Sequence, residues 1–307
     1  MHGKVLMLLM LGWVCALPFP VLAEEVHHLQ WDGQERSYRM EIPARQSAVP
    51  LVILLHGGSQ SSREVWKQTH LPEMAQDEGF VLVAPDGIGK HWNDGRTKMQ
   101  DNRPASTADD TGFILAIADR LQQQGIVDAH RVYVAGASNG GVMALRLACE
   151  HPDRFAAVAA VIATMPEALT RHCHTRPIPV QFMLGTEDPM MPWKGGSVAH
   201  GKETDPMLSA PDTVEWWAAH NHCSSFISSE LPNHDGNDGS TVTRMEYMHC
   251  DEHGKVLFYR INGGGHMWPQ IGVKSRPLIR AIAERLFGNQ NRDIDAGEVI
   301  WDFFKRN

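Results

Sequence analysis

Three residues far apart in the chain, Ser138, Asp188 and His266, are of the types needed for covalent acyl transfer, and each follows a strand-like apolar run. Ser138 sits in Gly136-Ala137-Ser138-Asn139-Gly140. In this G-x-S-x-G pattern, small neighbours let a strand turn sharply into a helix and leave the serine Oγ exposed at the bend. The pentapeptide alone also fits a glycine-rich turn with an incidental serine. A serine hydroxyl is a poor nucleophile at neutral pH, so it needs an imidazole base, and the base needs a carboxylate to hold its tautomer. Asp188, in Leu184-Gly185-Thr186-Glu187-Asp188-Pro189, is the candidate acid. Glu187 is its nearest rival, and an Asp-Pro turn is its non-catalytic explanation. Among 17 histidines, His266 alone follows both a strand-like run and a glycine run, Gly263-Gly264-Gly265, in the chain order serine, acid, histidine.

An oxyanion forming at Ser138 would need two N–H donors. Asn139, next after the serine, offers one. The loop His56-Gly57-Gly58-Ser59 offers the second, with Gly58 the first choice and Ser59 the next. Trp92, Trp193 and Trp268 each fall in a loop after a strand-like run, where they would form either an aromatic wall beside Ser138 or ordinary packing.

The elements that must hold these residues follow from periodicity. His27 to Ile42 reads as a hairpin turning at Asp32-Gly33. Val49 to Leu55 is a continuous apolar run, as expected of a strand buried on both faces. A helix near Trp66 to Gly79, the strand Phe80 to Ala84, a helix over Asp110 to Gln124 and the strand Arg131 to Ala135 continue the alternation. Strand-like runs follow at Phe155 to Ala163, Pro179 to Leu184 and Val256 to Ile261. The last helix opens on the capping box Asp295-Ala296-Gly297-Glu298, with Ile294 and Val299 as its hydrophobic staple. Strands alternating with helices imply an α/β fold with a mostly parallel central sheet flanked by helices. Asp86 to Ala108 and Glu230 to Ser240 read as loops. Asp235-Gly236-Asn237-Asp238-Gly239 in the second fails the spacing of a calcium loop and reads as a solvated hairpin loop.

At the N-terminus, Lys4 precedes the apolar run Val5 to Ala16, two prolines and Val21-Leu22-Ala23. Residues 1–23 therefore read as a secretory signal cleaved near Ala23, too short for a membrane anchor, leaving residues 24–307 as one exported domain, secreted or periplasmic. Cys15 invites lipidation, but Trp13-Val14 stands where small residues are expected. Cys149, Cys173, Cys223 and Cys250 remain, an even set that in an oxidising compartment implies two disulfides with three possible connectivities. Pairing Cys149 with Cys173 and Cys223 with Cys250 closes the shortest loops, each bond worth roughly 2 to 4 kcal/mol. Histidines beside these cysteines could instead ligate zinc, but no C-x-x-C or H-E-x-x-H spacing is present, so neither metal nor cofactor is expected. The formal net charge of -8 argues against nucleic acid or an anionic membrane surface as partner.

Taken in order, LLHGGSQSS, APDGIGKHWNDGR, ADDTGFILAI, GASNGGVMAL, LGTEDPMMPW, INGGGHMWP and DIDAGEVIWDFF resemble the secreted poly(3-hydroxybutyrate) depolymerase and feruloyl esterase family of α/β-hydrolases, from about residue 50 to the C-terminus. The resemblance implies a triad at Ser138, Asp188 and His266, the residues reached above from chemistry. Polymer-degrading members often add a substrate-binding module, for which no length is apparent after the terminal helix. The expected activity is metal-independent carboxylic ester hydrolysis through an acyl-enzyme. The expected substrates are soluble: short-chain or hydroxycinnamoyl esters and 3-hydroxybutyrate oligomers, rather than long-chain triglycerides or polymer film. Peptide cleavage by the same triad, or a binding protein that has lost catalysis, are the rival readings.

Overall fold

The computed structural model describes residues 25–44, 48–98, 106–174, 176–197, 205–272 and 277–307, so the expected leader lies outside the described residues. Asp32 and Gly33, both with positive φ, turn β1 (Glu25–Trp31) into β2 (Gln34–Glu41), an antiparallel hairpin. β3 (Val49–Leu55) follows, its apolar residues alternating between two cores: Leu51, Ile53 and Leu55 face one side of the sheet, Val52 and Leu54 the other. The expected helix near Trp66 to Gly79 is two helices, α1 (Ser62–Lys67) and α2 (Leu71–Glu78). Pro72 explains the break, because proline is favoured in the first turn of a helix and breaks an interior one.

β4 (Val81–Pro85), α3 (Asp110–Gln123), β5 (Val127–Ala137), α4 (Asn139–Glu150), β6 (Ala157–Val161) and β7 (Val180–Gly185) continue the alternation. α5 (Ala210–His220), β8 (Ser225–Glu230), β9 (Thr241–Met248) and β10 (Val256–Asn262) come next, before α6 (Pro277–Phe287) and α7 (Ala296–Phe304). The sheet has ten strands in the order β1-β2-β4-β3-β5-β6-β7-β10-β9-β8. Its six central strands, β4 to β10 in that order, are mutually parallel, and antiparallel pairs flank them at both edges. α3, α4 and α5 cover one face through Phe113, Leu145 and Trp217, and α1, α2 and α7 the other through Val65, Leu71 and Phe304. The Asp295 carboxylate caps α7 by accepting the Glu298 N–H at 3.2 Å.

From β3 the chain moves to β4 on one side and then returns to β5 on the other. Such a reversal leaves a crevice at the carboxyl ends of the strands. The loops after β3, β5, β7 and β10 all open at that end, which is how residues scattered from 56 to 268 come together. Cys149 at the end of α4 is bonded to Cys173, and Cys223 after α5 to Cys250 after β9. The β8–β9 loop is less solvated than expected: Asp238 and Ser240 are buried, and Asp238 accepts from Ser240 N and Arg292 N. Among the described residues, no helix is long and apolar enough to cross a membrane.

Candidate active site

Ser138 occupies the bend between β5 and α4 with φ 53° and ψ -121°. A positive φ at a residue with a side chain costs of order 1–3 kcal/mol and persists only where the surroundings enforce it. Here the Ser138 N–H donates to Val161 O at 2.9 Å and its carbonyl accepts from Val142 N at 2.9 Å, clamping the residue from both sides. The turn is tight enough that a Cβ on Gly140 would lie 2.5 Å from His56 O and closer still to Leu55 O. Gly140→Ala is therefore expected to force β3 and α4 apart, costing about 1–3 kcal/mol or more and displacing Ser138. Thermal denaturation and turnover should both fall; a variant with wild-type values for both would show that this close approach is not required.

His266 reaches the elbow from the loop after β10. Its Nε2 lies 2.8 Å from Ser138 Oγ and its Nδ1 2.7 Å from Asp188 Oδ2. The carboxylate only accepts, so Nδ1 carries the proton, Nε2 presents its lone pair, and the serine hydroxyl donates to it. The glycine run before His266 has a steric cause: a Cβ on Gly265 would run into the backbone of Phe287 and Gly288, where the chain packs against the His266 loop. Asp188, buried at the end of β7, is held by its other oxygen, Oδ1, which accepts the N–H groups of Met190 at 2.8 Å and Met191 at 2.7 Å. The rival Glu187 is exposed, and its backbone N–H donates to Gly264 O.

The loop after β3 separates the two oxyanion candidates. The Gly57 N–H donates to Gln60 Oε1 and the Ser59 N–H to Lys90 O, whereas the Gly58 N–H has no acceptor among the described residues. Asn139, the first residue of α4, has a backbone N–H beyond the reach of intrahelical acceptors. A Cβ on Gly58 would stand 3.7 Å from Asn139 Cβ, so the two candidate donors belong to adjacent residues in space. His56 fixes the loop's path: its Nε2 accepts the Gly87 N–H at 3.0 Å, so its protonated Nδ1 donates to Gly57 O at 2.8 Å. Burial pushes the His56 pKa down and keeps this ring neutral.

Of the three tryptophans expected to form either an aromatic wall or ordinary packing, one, Trp268, lines the cavity among the described residues. Trp92 is fully buried, donating from Nε1 to His56 O at 2.8 Å, and Trp193 stacks on Phe258 at the core edge. Both occupy loops at the correct end of the sheet, but their rings pack inward, where apolar area is removed from water. Trp92 still matters to the site, because its backbone N–H donates to the side-chain oxygen of Asn139 at 2.8 Å. Asn139 Nδ2 in turn donates to Asp94 Oδ2 at 2.6 Å, and Arg96 grips the same carboxylate. Sequence reasoning missed Asp94 and Arg96, whose only signal was their place in the loop Asp86 to Ala108. A cavity of about 800 Å³ lies over Ser138, lined among others by Gly58, Met190, His266, Trp268 and Phe287. Both cysteine pairs are consumed as disulfides, so the histidines beside them have no thiolate with which to share a metal.

A strained serine elbow on a mostly parallel sheet, with serine, histidine and aspartate in hydrogen-bond relay, defines a serine hydrolase of the α/β-hydrolase fold. The chain belongs to the esterase family of that fold that holds the poly(3-hydroxybutyrate) depolymerases and feruloyl esterases. It is 32% identical over 274 residues to a protein named "Putative esterase NocK" from Nocardia uniformis subsp. tsuyamanensis, covering 86% of this chain and 79% of that one. It is 30% identical over 231 residues to feruloyl esterase B of Piromyces equi, covering 71% of this chain and 40% of the relative. With the poly(3-hydroxybutyrate) depolymerase of Ralstonia pickettii, 28% identity extends over 257 residues, 74% of this chain and 50% of the relative. The chain thus spans half or less of the length of these last two relatives. Residues 66–188 match the model of the prolyl oligopeptidase family. In fold, the chain is similar to the acetyl xylan esterase from Aspergillus awamori, with TM-score 0.56, 12% identity, and 92% and 100% of the two chains covered. It is also similar to a thermostable esterase, with TM-score 0.51, 15% identity, and 91% and 60% covered.

Proposed function

We propose that this protein is an exported, metal-independent carboxylic ester hydrolase that works through an acyl-enzyme on soluble short-chain, hydroxyacyl or hydroxycinnamoyl esters. The observation that carries the reading is the relay Asp188–His266–Ser138, whose serine lines a cavity together with Gly58 and Asn139; the N–H groups of these two have no acceptor among the described residues. Ser138 Oγ attacks the ester carbonyl as His266 Nε2 takes its proton. The tetrahedral oxyanion is held by the Gly58 and Asn139 N–H groups. On collapse, His266 returns the proton to the leaving alcohol, and a water activated by the same imidazole then releases the acid. Asp188 stays ionised and stabilises the imidazolium. The substrate range is supported by relatives named as feruloyl esterases and a poly(3-hydroxybutyrate) depolymerase. Export through a leader at residues 1–23 is supported by the two disulfides.

Peptide cleavage is the second reading, favoured by the match to the prolyl oligopeptidase family, which includes Ser138 and Asp188 but ends before His266. A fluorophosphonate should label Ser138, and matched ester and peptide substrates of one acyl group should show faster ester cleavage, unchanged after exhaustive chelation. Failure to label would favour a non-catalytic binding protein, and preference for the peptide would favour the peptidase.

A further inference from the structure

The cavity has a charge pattern opposite to that of the whole chain. The sequence carries 36 acidic against 28 basic residues, yet among the described residues the cavity wall presents Lys67, Arg96 and Arg280 and no Asp or Glu. Arg96 has a side chain only 5% exposed. Its Nε donates to both oxygens of Asp94, at 3.1 and 3.0 Å, and its Nη2 to Oδ2 at 2.5 Å. Nη1 has no acceptor among the described residues. Asp94 also accepts from Arg96 N and Asn139 Nδ2, so its oxygens are surrounded by donors, and Asp94 is not among the residues lining the cavity. The guanidinium is thus held rigid on one edge while both Nη1 N–H groups are unused among the described residues, an arrangement suited to a second carboxylate. Lys67 is exposed and has no ion pair among the described residues, and Arg280 lies 3.9 Å from Glu284, which pairs more closely with Arg292 at 2.6 Å.

We propose that the cavity selects esters bearing a free carboxylate away from the scissile bond, with Arg96 as its anchor and Lys67 and Arg280 supplying attraction at the rim. This rests on the esterase reading and narrows its substrates to half-esters of dicarboxylic acids and hydroxyacid oligomers with a free acid end. If Arg96 only neutralised Asp94, replacing it would leave any preference for a charged substrate unchanged.

The test compares carboxylate with uncharged carboxamide of equal shape: monomethyl adipate against methyl adipamate for the acyl side, and the 3-hydroxybutyrate dimer against its terminal amide for the alcohol side. On at least one pair, kcat/KM should favour the acid by about tenfold at low salt, mainly through KM, and the preference should shrink as salt screens the rim. Arg96→Gln should bring the ratio towards one, Arg96→Lys should keep part of it, and Lys67→Gln, at an exposed position, should lower it while the protein stays folded. A wild-type ratio of one or below on both pairs overturns the proposal, whatever the variants do. So does a folded Arg96→Gln that keeps the full preference. If neither pair nor a chromogenic acetate is cleaved, the esterase reading itself falls.

Discussion

Ser138→Ala is expected to lower kcat on a chromogenic short-chain ester by about 10⁵ to 10⁶-fold without unfolding the protein. Alanine keeps the Cβ, so the strained backbone at φ 53° and its clamps to Val161 and Val142 are unchanged. What disappears is the hydroxyl oxygen 2.8 Å from His266 Nε2. The Gly58 and Asn139 N–H groups and the cavity survive, so a residual rate above that in water should remain. His266→Ala should fall to the same floor, and the double variant should be no worse than either single one, because base and nucleophile act as a unit. Turnover and thermal denaturation of the three variants, with active-site titration to exclude wild-type contamination, check this. Wild-type turnover in Ser138→Ala would remove the serine from the mechanism.

The positions of Ser138, Asp188 and His266 were readable because acyl transfer constrains both residue type and chain order, and because each follows a strand that is itself an apolar run. The buried strand β3 was readable for a related reason: a strand covered on both faces has no polar phase to confuse its boundaries. Trp92 and Trp193 were readable as loop residues but not as inward-facing ones, since the direction of a ring depends on how its loop is tied down. For Trp92 the tie is Asn139, 47 residues away. Asp94 and Arg96 look like solvated charges in sequence, and only the packing of their loop against α4 buries them. α6 was not read from the sequence, although Leu278, Ile282 and Leu286 recur at the i, i+4, i+8 spacing of one helix face; none of its residues is buried, and that apolar face is exposed.

Asp188→Asn is expected to lower kcat by about 10⁴-fold, milder than loss of the serine but far larger than the change of one atom would imply. The reason lies in how the structure holds residue 188. Oδ1 accepts two backbone N–H groups, from Met190 at 2.8 Å and Met191 at 2.7 Å, while Oδ2 faces His266 Nδ1 at 2.7 Å. An asparagine must keep its carbonyl oxygen on the Met190 and Met191 donors, because turning the amide over would set its NH₂ against them in a buried place. The NH₂ therefore faces Nδ1 and donates to it, which drives the imidazole proton to Nε2. In that tautomer His266 offers a donor to Ser138 Oγ where the reaction needs an acceptor, and the serine loses its base. Asp188→Ala removes the carboxylate without imposing the wrong tautomer, so it should be no more impaired than Asp188→Asn despite the larger truncation. Steady-state kinetics on one ester, paired with ¹⁵N NMR of the His266 ring to report which nitrogen carries the proton, separates the two effects. If Asp188→Asn kept its proton on Nδ1 and still lost activity, orientation by Asp188 would not be the cause, and its charge beside the imidazolium would have to carry the whole effect.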